Sequence, residues 1–131
     1  MTARTLLVLS WVARIVLAAF FAFVGYWKAF GPIEALAEHH AWVAGFPDWF
    51  ARAVGWSELA CAAAFVISVL TSLRGLAFWT AIVLIANQLA ALAVHVSRGE
   101  VAAADPQNLV LLVMLGLIVL QTPRAAPQMS L

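Results

Sequence analysis

Four apolar runs, separated by short polar breaks, leave this chain few ways to fold. They extend from Thr5 to about Trp27, from about Phe50 to Leu70, from Leu76 to Val96 and from Leu109 to Leu120. A helix rising 1.5 Å per residue needs about 20 residues to cross the ~30 Å hydrocarbon core of a bilayer. The first three runs reach that length as they stand. The fourth reaches it by recruiting Pro106 to Asn108 at its start and Gln121 and Thr122 at its end. The reading is a single all-α domain over residues 1–131, an integral membrane four-helix bundle with spans at about 5–27, 50–70, 76–96 and 106–122.

A water-soluble alternative fails on charge. Only 10% of the residues are charged and 66% are hydrophobic, whereas a soluble domain carries about a quarter charged residues to face water. Net charge is +1, so neither a nucleic-acid face nor a polybasic lipid anchor is expected. Cys61 is the single cysteine, which excludes an intramolecular disulfide and a thiolate metal cluster. The first run outlasts the ~15 residues of a signal-peptide core and contains Arg14, so it reads as a retained helix.

The breaks carry turn chemistry. Ser72-Leu73-Arg74-Gly75 forms a tight turn, and Gly99 in Ser97-Arg98-Gly99-Glu100 is placed to cap a helix. Pro106 suits a first helical turn, where a missing N–H costs nothing. The longer connection from Phe30 to Asp48 repeats Ile33, Leu36, Ala37, His40 and Val43 at helical spacing, with Glu34 and Glu38 off that face. That pattern predicts a short amphipathic helix lying in the interface between the first two spans. Phe46, Trp49 and Phe50 follow as an aromatic belt. Pro123 ends the last helix, leaving 125–131 as a tail.

Orientation rests on a charge asymmetry. Arg4, Arg74, Arg124 and the terminal amine share one side without acids, and Lys28, Arg52 and Arg98 share the other with Glu34, Glu38, Asp48, Glu100 and Asp105. Lysines and arginines balance, so the amine and the acids decide for cytoplasmic termini, in a bacterial inner membrane.

The polar residues inside the runs point to a site. Measured from the ends of their runs, Arg14 lies ~13 Å deep, Glu58 ~18 Å, and Asn87 and Gln88 ~16 to 18 Å. Side chains from three helices thus share a layer near the midplane. An ion there costs ~2.5 to 3.5 kcal/mol on insertion scales, so Arg14 is expected to face and neutralise Glu58. Such a cluster is either glue between helices or part of a ligand or proton path. Lys28 and His95 extend it towards one surface, since Arg14 and Lys28 share a helix face, as do Gln88 and His95. The plainer alternatives are a snorkelling Lys28 and a helix-capping His95.

His39, His40 and His95 raise the idea of a metal or haem, but they lack ligand spacing, and neither group is expected. Gly55, Cys61 and Ala62 flank Glu58 with small side chains, which favours close helix packing. Trp11, Trp56 and Trp79 are expected in the interior, either packing or stacking on a flat ligand.

Arg14 with Gly25-Tyr26-Trp27-Lys28, Gly55-Trp56-Ser57-Glu58-Leu59, and Ala86 to His95 followed by Asn108 together resemble the DoxX-like family. The resemblance implies a four-helix membrane fold and a loose link to redox metabolism. Some members of that family are tied to quinol oxidation or to thiosulfate oxidation with quinone, and distant relatives to protein maturation or assembly. The cysteine pair of the disulfide-linked relatives is missing here. The expected function is a small membrane subunit binding a lipophilic molecule, with a quinone as candidate, within a homo-oligomer or larger membrane complex. Arg14, Lys28, Glu58, Asn87, Gln88 and His95 would form its polar cluster. The alternatives are a non-catalytic accessory or assembly subunit, and an enzyme using Glu58 as general acid or base.

Overall fold

The computed structural model describes residues 2–39, 41–71 and 73–121, without the side chains of Arg74 and of residues 101–106. Expectations placed on His40, Ser72, Pro123 and the tail 125–131 lie outside the described residues. Five helices follow in order: α1 (Ala3–Phe30), α2 (Ile33–Glu38), α3 (Asp48–Thr71), α4 (Arg74–Ser97) and α5 (Val101–Gln121). Three of them are long and apolar enough to cross a membrane, and the apolar part of α5, Gln107–Gln121, is shorter. The chain is an all-helical membrane bundle, and no strand occurs among the described residues.

Local chemistry sets the ends of these helices. The Thr2 hydroxyl accepts from the Thr5 amide at 3.1 Å and starts α1. Gly31 donates to the Trp27 carbonyl at 2.8 Å, and Pro32 then stops the helix. Gly99 takes φ +71, and the Gly99 and Glu100 amides return to the Val96 and His95 carbonyls to close α4. The cap expected at Gly99 is therefore present. The start of the last helix is different: α5 begins at Val101, so Pro106 stands in its second turn rather than its first. Residues 101–105 lie outside the apolar run, yet their three consecutive alanines are strong helix formers.

Packing pairs α1 with α3 and α4 with α5. On α3 the buried positions are Ala51, Gly55, Glu58, Ala62, Phe65 and Ser68, a stripe at spacings of three and four. Outside a soluble core, no water is expelled when helices meet, so close contact between small side chains carries association. Gly25 and Gly55 provide it. A Cβ added at Gly25 would stand 2.9 Å from the Gly55 carbonyl oxygen, and one at Gly55 would stand 2.4 Å from the Ala29 amide nitrogen.

The bundle has a filled end and a covered end. The filled end is a cluster built on Leu17, Phe21, Phe65, Ala81, Leu84, Leu115 and Ile118. At the other end Leu36, Trp42 and Val43 pack on Ala51 of α3 and Ala91 of α4. The amphipathic segment is thus a single helical turn and a half followed by turns. Leu36 and Val43 are buried, Ile33 is half-buried and Glu34 and Glu38 are exposed, as the spacing requires, but Ala37, expected on the same face, is exposed. Trp11, Trp56 and Trp79 correct the expectation of interior tryptophans, because they are 45%, 55% and 65% exposed on the outer surface.

Candidate functional site

Between the filled cluster and the covering segment lies a cavity of about 490 Å³. The helix α1 contributes Phe20, Phe23, Val24, Trp27 and Lys28, α3 contributes Glu58, and α4 contributes Gln88, Ala91 and His95. Gln107 and Asn108 come from the start of α5, and Ala35, Leu36, His39, Ala41 and Trp42 from α2 and the segment after it. Every helix of the bundle therefore reaches this one space.

Its charged wall is an ion pair. Lys28 Nζ stands 2.5 Å from Glu58 Oε1, with Glu58 wholly buried and Lys28 8% exposed. Gly25 and Gly55 account for the placement: with no side chains between them, α1 and α3 approach closely and Glu58 Cβ sits against Gly25. Lys28 follows Gly25 by three residues on the same helix face. Burying two charges costs solvation that only a close, well-oriented pair offsets.

This pairing corrects the expected one. Arg14 does not face Glu58; its Nη1 donates to Ser68 Oγ at 3.2 Å and its Nε to the Ser10 carbonyl at 3.3 Å. Ser68 lies ten residues along α3 from Glu58, about 15 Å at 1.5 Å per residue. Aligning the apolar runs at their ends misplaces Arg14. The glycine contact sets the register instead, and it carries the first two turns of α1 beyond the end of α3. Residues 3–9 are accordingly exposed or half-buried, and burial on α1 begins at Ala13.

Of the six residues expected in the polar cluster, Lys28, Glu58, Gln88 and His95 line the cavity. Arg14 and Asn87 do not; Asn87 is half-buried and its Nδ2 makes no hydrogen bond. Trp42 and Asn108 were not anticipated as part of the site. Asn108 carried a signal, because it shares a face with Leu111, Leu115 and Ile118, all buried. Trp42 sits in an irregular segment whose path periodicity does not predict.

Two polar atoms in the walls have no partner in the protein, and a third makes no hydrogen bond. Trp42 Nε1, Glu58 Oε2 and His95 Nδ1 are buried without a hydrogen bond, and all three side chains line the cavity. His95 Nδ1 stands 3.4 Å from Glu100 Oε2, within reach of that carboxylate. Buried polar atoms are nearly always bonded, so unmet ones grouped around one cavity set it apart from the rest of the bundle. Among the described residues, no three of His, Cys, Asp and Glu converge as metal ligands would.

The outer end is held by arginines. Arg52 Nη1 donates to the Lys28 carbonyl at 3.1 Å and to the Gly31 carbonyl at 2.7 Å, closing the end of α1. Arg98 lies over the Phe46 ring, 5.9 Å from its centroid, and bonds the Ala44 carbonyl, tying the α4–α5 connection to the segment before α3.

No curated protein and no solved structure gives a significant match to this chain. The sequence profile of the DoxX-like family matches residues 12–118, which include the Arg14, Gly25 to Lys28, Gly55 to Leu59 and Asn108 elements. An integral membrane bundle with this match over most of its length belongs to the DoxX-like family.

Proposed function

We propose that the chain is a small membrane subunit that binds a lipophilic molecule in the cavity beside Lys28 and Glu58, with a quinone as the candidate class. One observation carries this reading: Glu58 Oε2 and Trp42 Nε1 are buried without a partner, and both side chains belong to the walls of a single cavity. Small-molecule sites have this form, an apolar hollow of about 300 to 1,000 Å³ with a few oriented polar groups. In the proposal Gln88 and His95 orient the polar end of the ligand, and Phe20, Phe23 and Trp27 receive its apolar part.

The setting belongs to the proposal. In this setting the chain crosses a bacterial inner membrane four times, at about 5–27, 50–70, 76–96 and 106–122, with both termini in the cytoplasm. The charges of α2 and of the α4–α5 connection lie on the opposite face. The subunit works beside a membrane redox system, in a homo-oligomer or a larger complex.

Binding of a short-chain quinone, offered oxidised and reduced to the protein in mild detergent, tests the reading through quenching of the cavity tryptophans Trp27 and Trp42. Binding in either form is the expected result, weakened by Gln88→Leu and His95→Phe at unchanged yield of folded protein. If neither form binds, the function shifts to the alternative, a non-catalytic accessory or assembly subunit.

A further inference from the structure

We infer that the molecule taken by this cavity carries a hydroxyl group whose hydrogen goes to Glu58 Oε2, so that a phenol or hydroquinone is preferred to its carbonyl or ether counterpart. The inference deepens the ligand-binding reading above and rests on it.

The argument begins with what each wall atom can still do. Lys28 Nζ occupies Glu58 Oε1 at 2.5 Å, and an ion-paired carboxylate is an acceptor only. Its second oxygen has no partner, and the residue is 0% exposed, so water in bulk does not relieve it. An unmet charged acceptor in an apolar bundle calls for a donor. Trp42 Nε1 makes the opposite demand, because an indole N–H only donates, and it too is buried without a partner. His95 Nδ1 can serve in either sense according to its tautomer.

A hydroxyl is the simplest uncharged group that both donates and accepts. A quinone carbonyl or an ether oxygen can meet the indole alone. It leaves Glu58 Oε2 stripped of water and, if close, facing another acceptor. A cation would meet Glu58 but would bring a second positive charge beside Lys28. The apolar walls from Phe20, Phe23, Val24 and Trp27 then favour a hydroxyl borne on a ring or chain. Sites built to bond a substrate hydroxyl discriminate strongly against analogues that lack it.

The experiment uses the full chain in mild detergent and two matched pairs of probes. The first pair is 4-heptylphenol and its methyl ether, which differ only in the donor. The second is a short-chain hydroquinone and its quinone, compared without oxygen. The expected result is that each hydroxyl form binds at least ~10-fold more tightly than its partner, a modest value for such sites. Glu58→Gln keeps an oxygen for Lys28 and turns the free acceptor into an amide donor, so the ratio should shrink or reverse. Trp42→Phe should weaken both members of the first pair and leave their ratio in place.

Equal or tighter binding of the ether and the quinone to the native protein overturns the hydroxyl inference and leaves the ligand-binding reading standing. No binding by any of the four overturns both. The native ratios decide the matter even where a variant does not fold.

Discussion

Gly25 and Gly55 bring the backbones of α1 and α3 into direct contact, and the Lys28–Glu58 pair sits one turn away from that contact. The two features depend on each other. A side chain at either glycine would push the helices apart and draw the ammonium away from the carboxylate.

The contact predicts the cost of a methyl group. At Gly55 the added Cβ meets backbone at 2.4 Å, and backbone cannot rotate away. Gly55→Ala should therefore destabilise the bundle by about 1 to 3 kcal/mol, the usual cost of overpacking. Gly116 meets nothing within 4 Å, so Gly116→Ala should be neutral or stabilise by up to about 1 kcal/mol through helix propensity. Thermal unfolding of both variants in the same detergent checks the contrast. Equal stability would mean that α1 and α3 are not in contact there.

The ion pair predicts a pattern of coupling. Removing one partner leaves a buried charge unpaired, so Lys28→Met alone should cost about 3 to 5 kcal/mol. The double variant Lys28→Met, Glu58→Leu should recover much of that loss. Arg14→Leu combined with Glu58→Leu should instead be additive within about 0.5 kcal/mol, because Arg14 is bonded at Ser68, about 15 Å along α3 from Glu58. A strong Arg14–Glu58 coupling would restore the register expected from the ends of the apolar runs.

Arg52 predicts a local effect. Its guanidinium bonds two carbonyls at the end of α1, and bonds to a charged donor contribute about 1.5 to 3 kcal/mol each. Arg52→Met should loosen that end and speed amide exchange at Trp27 to Gly31 before any global unfolding. Arg52→Lys should rescue only in part, since an ammonium lacks the planar fork that reaches two acceptors. Exchange measured residue by residue distinguishes this from a general loss of stability.

Topology supplies a fourth expectation. Reporter fusions at Arg74 and after Gln128 should both read cytoplasmic. Opposite readings at the two positions would mean that α5 does not cross the bilayer.

Much of the fold was legible in the sequence because hydropathy and helical spacing are local properties. The four apolar runs, the small-residue stripe around Glu58 and the cap at Gly99 all appear without reference to a neighbour. Register between helices is not local. Runs that begin in one plane would match Arg14 to Glu58, whereas the glycine contact shifts α1 relative to α3 and brings Lys28 to the carboxylate instead. Depth also gives no direction. Trp56 stands beside Gly55 in sequence, yet it falls outside the stripe of Ala51, Gly55, Glu58 and Ala62 and turns to the outer surface, where its ring meets Phe30 with centroids 5.0 Å apart. The stripe itself could have shown this. Trp42 could not have been found in the same way, because its position depends on how an irregular segment folds across the bundle end.

The cavity has walls of unequal stiffness. On one side α1 and α3 touch backbone to backbone, so that wall cannot yield without parting two long helices. The opposite cover is the short α2 and the turns that carry Ala41 and Trp42, held at their far end by Arg98. Under the proposed binding, guests of different bulk would be accommodated by displacement of the cover, while the ammonium and carboxylate keep their places. Such a container would fix the polar head of its contents and tolerate the rest, so a homologous series of tails should differ in residence time more than in orientation.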